Sequence, residues 1–263
     1  MAFNYNYDPN GGQPGQPAQS AEPGGQVSDM FPSLWPNQAE LDHATSSCLT
    51  NVFFRMFAAL LVTAASAIAV TESIAMQSFI FGNMFVFYGL IIMELGLVFA
   101  ISAGIKKLSP TAANVLFFTY AIINGLTLSI IFFVYEIGII YHAFAIAALM
   151  FAAMAIFGAV TRKDLSTIGN ICFMALIGII IATFVNFFAR SDMIFNIVSY
   201  VGVLVFVGLT AYDTQRIKRM LREANAVSHE VAIKKVSVMG ALTLYLDFIN
   251  MFLMILRIMG RRR

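Results

Sequence analysis

Residues 79–105 read FIFGNMFVFYGLIIMELGLVFAISAGI, with Glu94 as the only charged side chain. About 20 mostly apolar residues suffice for one helical span of a bilayer, and this run exceeds that. In lipid such a segment satisfies its backbone internally by becoming a helix. Six further apolar runs share its character, at 52–71, 112–134, 139–160, 168–189, 194–215 and 236–256. The expected fold is therefore all-α: a polytopic bundle of seven transmembrane helices.

Composition agrees. Of 263 residues 59% are hydrophobic and 11% charged, with mean hydropathy +0.80. A water-soluble domain carries about 25% charged residues, so lipid must face most of this surface. A net charge of +2 argues against nucleic acid. Cys48 and Cys172 form no CxxC pair, and His43, His142 and His229 have no zinc-ligand spacing. Neither a resident cofactor nor an enzyme activity is expected. Residues 1–10, MAFNYNYDPN, lack the basic and apolar parts of a signal peptide.

Residues 1–50 differ from residues 51–263. They hold Pro9, Pro14, Pro17, Pro23, Pro32 and Pro36 of the seven prolines, and no Lys or Arg. Such a segment buries too little apolar surface to offset its ordering entropy and is expected to be disordered. Phe31-Pro32-Ser33-Leu34-Trp35-Pro36 reads as a headgroup anchor or short partner motif, or more plainly as an incidental apolar cluster.

Basic residues orient the chain. With the N-terminus inside, the cytoplasmic loops hold Lys106, Lys107, Arg162, Lys163, Arg216, Lys218, Arg219, Arg222, Lys234 and Lys235. The far side holds Arg190, Arg257, Arg261, Arg262 and Arg263, and Arg55 lies within the first run. A cytoplasmic N-terminus follows. A re-entrant last run would bring the last four arginines inside as well. The stretch 216–235 reads as a helical extension plus a loop.

Charged residues within a bilayer are expensive and mark function by default. Four occur here: Arg55, Glu94, Asp213 and Asp247. Asn124, Thr127, Thr183, Asn186, Thr210, Thr243 and Asn250 accompany them. Gly240, Thr243, Asp247 and Asn250 recur every three or four residues and so share one helix face. That stripe suits a helix contact or a water-lined path; the plainer reading of Asp247 is a buried hydrogen-bond node. Asp213 reads more plainly as a helix-end carboxylate paired with Arg216 or Arg219. Along straight helices Asp247 lies roughly 18 Å from Lys235 and Asp213 about 5 Å from Arg216, so the two meet only if residues 236–241 extend below the hydrocarbon. Glu94 is a pore-facing carboxylate or a partner for Arg55, and Arg55 alternatively snorkels to the interface.

GVLVFVGLTAYDTQRIK (202–218) and GALTLYLDFINMFLMILRIMG (240–260) resemble the two most diagnostic segments of the Bax inhibitor-1 family, also called the lifeguard or TMBIM type. LSPTAANVLFFTYAIINGLTLS (108–129) and TRKDLSTIGN (161–170) match as well, and the resemblance covers about residues 50–260. It implies seven helices with the last one central, and a pH-sensitive calcium leak. It also implies that Asp213 and Asp247 meet as a hydrogen-bonded sensor and candidate calcium ligands, with Glu94 and Asn250 along the ion path. A basic partner known at the end of the second span of a bacterial relative falls here at Ile105, next to Lys106 and Lys107. Lys106 and Arg55 are the candidate charge partners. Implied partners are the bilayer, calcium or protons, and other membrane proteins; the implied location is a bacterial inner membrane.

The chemistry has a reason. Two carboxylates in contact away from water share one proton. Its loss creates repulsion that a cation relieves. Calcium takes six to eight oxygens, and two carboxylates with Asn250, carbonyls and water make a site weak enough to release it. Three other classes compete. An intramembrane aspartyl protease needs a GxGD motif, but 244–247 read Leu-Tyr-Leu-Asp, and its PAL motif is missing. A secondary transporter would show broken helices, yet the only proline after residue 36 is Pro110, in a loop. A non-conducting scaffold that regulates partners is the third.

Overall fold

A computed structural model describes residues 37–227 and 229–260. The described residues form helices without strands: α1 (Gln38–Glu72), α2 (Ile74–Phe81), α3 (Met84–Gly104), α4 (Pro110–Leu128), α5 (Ile131–Val134), α6 (Ile137–Val160), α7 (Ser166–Ala189), α8 (Asp192–Ala226) and α9 (Glu230–Met259). Seven segments are long and apolar enough to cross a membrane, with α4 and α5 counting as one. The chain is a multi-pass membrane protein.

Side-chain caps set the breaks. Ser109 accepts from the Ala112 N–H and Pro110 opens α4, where a missing N–H does no harm. Asn83 likewise accepts from the Phe85 N–H at the start of α3, which divides the expected 79–105 run between α2 and α3. The α7–α8 turn is held from both sides. Arg190 takes the left-handed conformation (φ 49°), the Asn186 side chain accepts from the Ser191 N–H, and Ser191 caps α8.

One boundary needs correction. Residues 38–50 were expected to belong to a disordered tail, but they are the first turns of α1. Leu41, Thr45, Leu49 and Val52 recur at helical spacing and are buried. This extension docks on the equally long α8, where Arg222 meets Asp42 at 3.4 Å and the Asn225 amide donates to Cys48 Sγ at 3.8 Å. The remaining expected tail, with the Phe31–Pro36 patch, lies outside the described residues.

The last helix is central. Seventy-two per cent of the apolar stretch of α9 is buried, against 6% for α3 and 11% for α7. It packs on α8, α6 and α4, and Phe144 and Phe151 of α6 meet Phe248 and Phe252 of α9 edge to face. The helices α6 and α8 approach closely because Gly158 presents no side chain: a β-carbon there would sit 2.2 Å from the Ala211 carbonyl oxygen. The helix α3 packs on α4 and α2, and α7 packs on α8.

Candidate functional site

The basic stretch 216–235 forms two helical arms rather than one flat loop. Ala226 ends α8 and Glu230 begins α9, so the hairpin carries both helices past the apolar runs. From the turn Asp213 lies about 20 Å up one arm and Asp247 about 26 Å up the other, at 1.5 Å per residue. That resolves the depth difference: residues 236–241 extend α9 toward the turn, and the two aspartates face each other. Asp213 is 8% exposed and Asp247 is 5% exposed. Their carboxyl groups lie close enough to act on each other. Asp247 Oδ2 is fully buried and has no hydrogen-bond partner among the described residues, and neither does the buried hydroxyl of Thr214, the residue after Asp213.

The cation that acts on this pair is Arg216, next to Asp213. Lys106, expected as a partner, meets the site differently: its carbonyl oxygen accepts from Lys235 Nζ at 2.9 Å. Arg55 does not pair with Glu94. Its Nη1 donates to Asn114 Oδ1 at 2.9 Å, because α1 lies against α4 at that level. Among the described residues no cluster of three or more His, Cys, Asp or Glu gathers. Calcium at Asp213 and Asp247 would therefore need Asn250, carbonyls and water.

The pair lines a crevice of about 1170 Å³ bounded by α3, α7, α8 and α9. Thr243, Asp247 and Asn250 line it, whereas Gly240 of the same stripe packs on Ile217. Thr243 and Asn250 donate to the carbonyls of Met239 and Leu246 in their own helix, and Thr183 and Thr210 do the same in theirs. Asn186 serves the α7–α8 turn.

Glu94 belongs to a second polar cluster. Tyr245, two residues before Asp247, points roughly 200° away around α9. Its hydroxyl lies 2.6 Å from Thr63 Oγ1 and donates to Asn124 Oδ1 at 3.1 Å. The Asn124 amide donates to Glu94 Oε2 and to the Tyr120 hydroxyl, both at 3.4 Å, and Thr127 donates to Glu94 Oε1. The sequence reading missed Tyr245, Thr63 and Tyr120. A hydroxyl in a lipid-embedded run must find an internal partner, a rule that marks Tyr245, Thr63 and Tyr120 alike without saying which of them meet.

Gln215 was missed too. Its side chain accepts from the Leu165 N–H at 3.0 Å and donates to the Lys163 carbonyl at 2.8 Å. Lys218 donates to the Ala159 carbonyl at 2.7 Å, a cation at the C-terminus of α6. Asp164 accepts from the N–H and hydroxyl of Ser166 and meets Arg219 at 3.4 Å. Those bonds, chiefly from Ser166, hold its carboxyl below the usual carboxylate range.

Known proteins share this chain's sequence. A family model described as inhibitor of apoptosis-promoting Bax1 matches residues 45–263. The inner membrane protein YbhL of Escherichia coli K12 is 47% identical over 215 residues, which is 82% of this chain and 92% of the relative. A Borreliella burgdorferi protein is 41% identical over 216 residues, covering 82% and 92%. A Rickettsia prowazekii protein is 37% identical over 224 residues, covering 84% and 92%.

Proposed function

This chain belongs to the Bax inhibitor-1 family, and we propose that it is a pH-sensitive calcium leak channel gated by Asp213 and Asp247. One observation carries the reading: two buried carboxyls lie against each other, and Asp247 Oδ2 has no hydrogen-bond partner among the described residues. Such a pair holds one proton, and losing it puts two negative charges side by side. Separation of α8 from α9, or entry of a cation, relieves the repulsion. Asn250 continues the polar line along α9, while Glu94 lies off that line among Tyr120, Asn124 and Thr127. By its similarity to YbhL the protein belongs in a bacterial inner membrane, with the basic end of the bundle in the cytoplasm.

Calcium flux through purified protein in liposomes tests the reading across pH 5–8. Wild-type flux should change over one or two pH units. Asp213→Asn and Asp247→Asn each keep the shape but remove the shared proton, so each should lose most of that dependence. The double variant should match the singles, because residues acting as one unit are not additive. Persistent pH dependence in both singles would defeat the sensor. No flux from folded wild-type protein would favour a scaffold, a reading that the apolar walls above Asn250 also suit.

A further inference from the structure

The two least buried spans, α3 and α7, stand on either side of the crevice without packing as a pair. Most of their facing side chains, including Leu95, Leu176, Ile180 and Phe184, are apolar; Asn170 and Thr183 of α7 are the polar exceptions, and the Thr183 hydroxyl is already bonded to the Ile179 carbonyl. On α9 no polar side chain lines the crevice between Asn250 and Arg257, and the Thr183 hydroxyl across from it is committed to its own helix. Water needs two to four hydrogen-bond partners to be held in place, so this stretch suits hydrocarbon. At its far end Arg257 lines the crevice, with its guanidinium 5.6 Å from the centre of the Phe195 ring. Ten residues of helix separate Asp247 from Arg257, or about 15 Å. That is half of a hydrocarbon core about 30 Å thick, the depth of one leaflet.

We propose that this crevice is a phospholipid site: one acyl chain enters sideways between α3 and α7, its phosphate is held at Arg257, and its methyl end covers Asp247. Length and charge agree on that occupant. A phosphate at Arg257 places the chain end at the aspartates, and the cation complements the headgroup. The site does not depend on conduction; a scaffold would hold the same lipid.

Tryptophan quenching tests it directly. Trp35 is the only tryptophan, so a Trp35→Phe background is dark. Leu246→Trp places an indole on the crevice face of α9, the central helix. Leu149→Trp, on the outer face of α6 at 73% exposure, is the lipid reference; Phe151→Trp, at 5%, is the buried one. In phosphatidylcholine vesicles containing chain-brominated phosphatidylglycerol, quenching at Leu246→Trp should match the lipid reference. Adding Arg257→Gln should raise the brominated fraction needed for half-quenching about fivefold, the equivalent of about 1 kcal/mol per basic residue at a lipid surface. Quenching no greater than at the buried reference would overturn the site. Acrylamide access would then identify water, and protection from both quenchers would identify a helix of a second copy. An unchanged half-quenching fraction would remove the phosphate from Arg257. If Leu246→Trp fails to fold, native mass spectrometry of wild-type protein serves: one phospholipid should survive detergent exchange, and Arg257→Gln should lose it.

Discussion

Asp213 and Tyr245 show how differently two buried polar side chains can be satisfied. The Tyr245 hydroxyl has two partners of fixed kind, Thr63 and Asn124, whereas Asp213 and Asp247 have chiefly each other. The first arrangement needs no titration; the second, on the proposed reading, turns on a proton. Tyr245→Phe leaves Thr63 its bonds to the Ala59 and Ala121 carbonyls but strips Asn124 Oδ1 of its donor. We expect a loss of about 0.5–2 kcal/mol, between the membrane average for such bonds and the upper range for a stranded buried acceptor. Reversible unfolding in detergent measures it. The pH profile of calcium flux should stay where it was, because Tyr245 faces away from the pair. Asp164 supplies the complementary control. Its folded value lies below its unfolded one, so the stability it lends to the start of α7 is fully present above about pH 3.9 and fades only as pH falls through the lowered value. Between pH 5 and 8 it stays ionised in both states. Asp164→Asn should therefore leave the flux profile unmoved in that window, and so should a substitution of Asp192, an exposed residue in the first turn of α8.

At the scale of elements, the α6–α8 contact is the tightest backbone approach near the site. Ala211, two residues before Asp213, places its carbonyl oxygen 2.2 Å from where a β-carbon on Gly158 would stand. Gly158→Ala must push α8 away from α6 and should destabilise by about 1–3 kcal/mol, the usual penalty of overpacking. Gly178→Ala in α7 meets nothing within 4 Å and should be neutral or stabilising by up to about 1 kcal/mol, since alanine is the better helix former. Equal stability of the two variants would show that the close approach is not real. How far the elements could be read beforehand follows the same physics. Apolar runs and motif residues mark the seven spans, because lipid imposes its length and polarity on a sequence. Asp213 and Asp247 are visible as charges out of place. The start of α1 at Gln38 is not, because Leu41 and Leu49 are too sparse among polar neighbours to signal burial until α8 extends beside them. Gln215 and Lys218 likewise act on backbone carbonyls and N–H groups, which have no signature in sequence.

For the whole molecule, the open quantity is orientation, and the contacts between loops say which basic residues lie at the same end of the bundle. Four contacts gather the basic loops at one end of the bundle. Lys235 reaches the Lys106 carbonyl, Lys218 the Ala159 carbonyl, Gln215 the 161–165 loop, and Arg219 reaches Asp164. Ten basic residues therefore share one face. Arg257 lies at the other, over Phe195 near the start of α8. The helix α9 runs unbroken for 30 residues, about 45 Å, which is longer than a hydrocarbon core and leaves no re-entrant turn to bring Arg257 back. The bias is then ten against two among the described residues, with Arg55 inside the first span. If the positive charge is held on the cytoplasmic side, Asp164 is expected inside and Asp192 outside. In a Cys48→Ser, Cys172→Ser background, Asp192→Cys should react with an impermeant maleimide in intact cells. Asp164→Cys should react only after the membrane is opened. The reverse pattern would invert the molecule, put the α8–α9 hairpin outside, and make the leaflet that lends its lipid to Arg257 the cytoplasmic one. Equal labelling of both sites in intact cells would mean that the twelve loop charges do not fix one orientation.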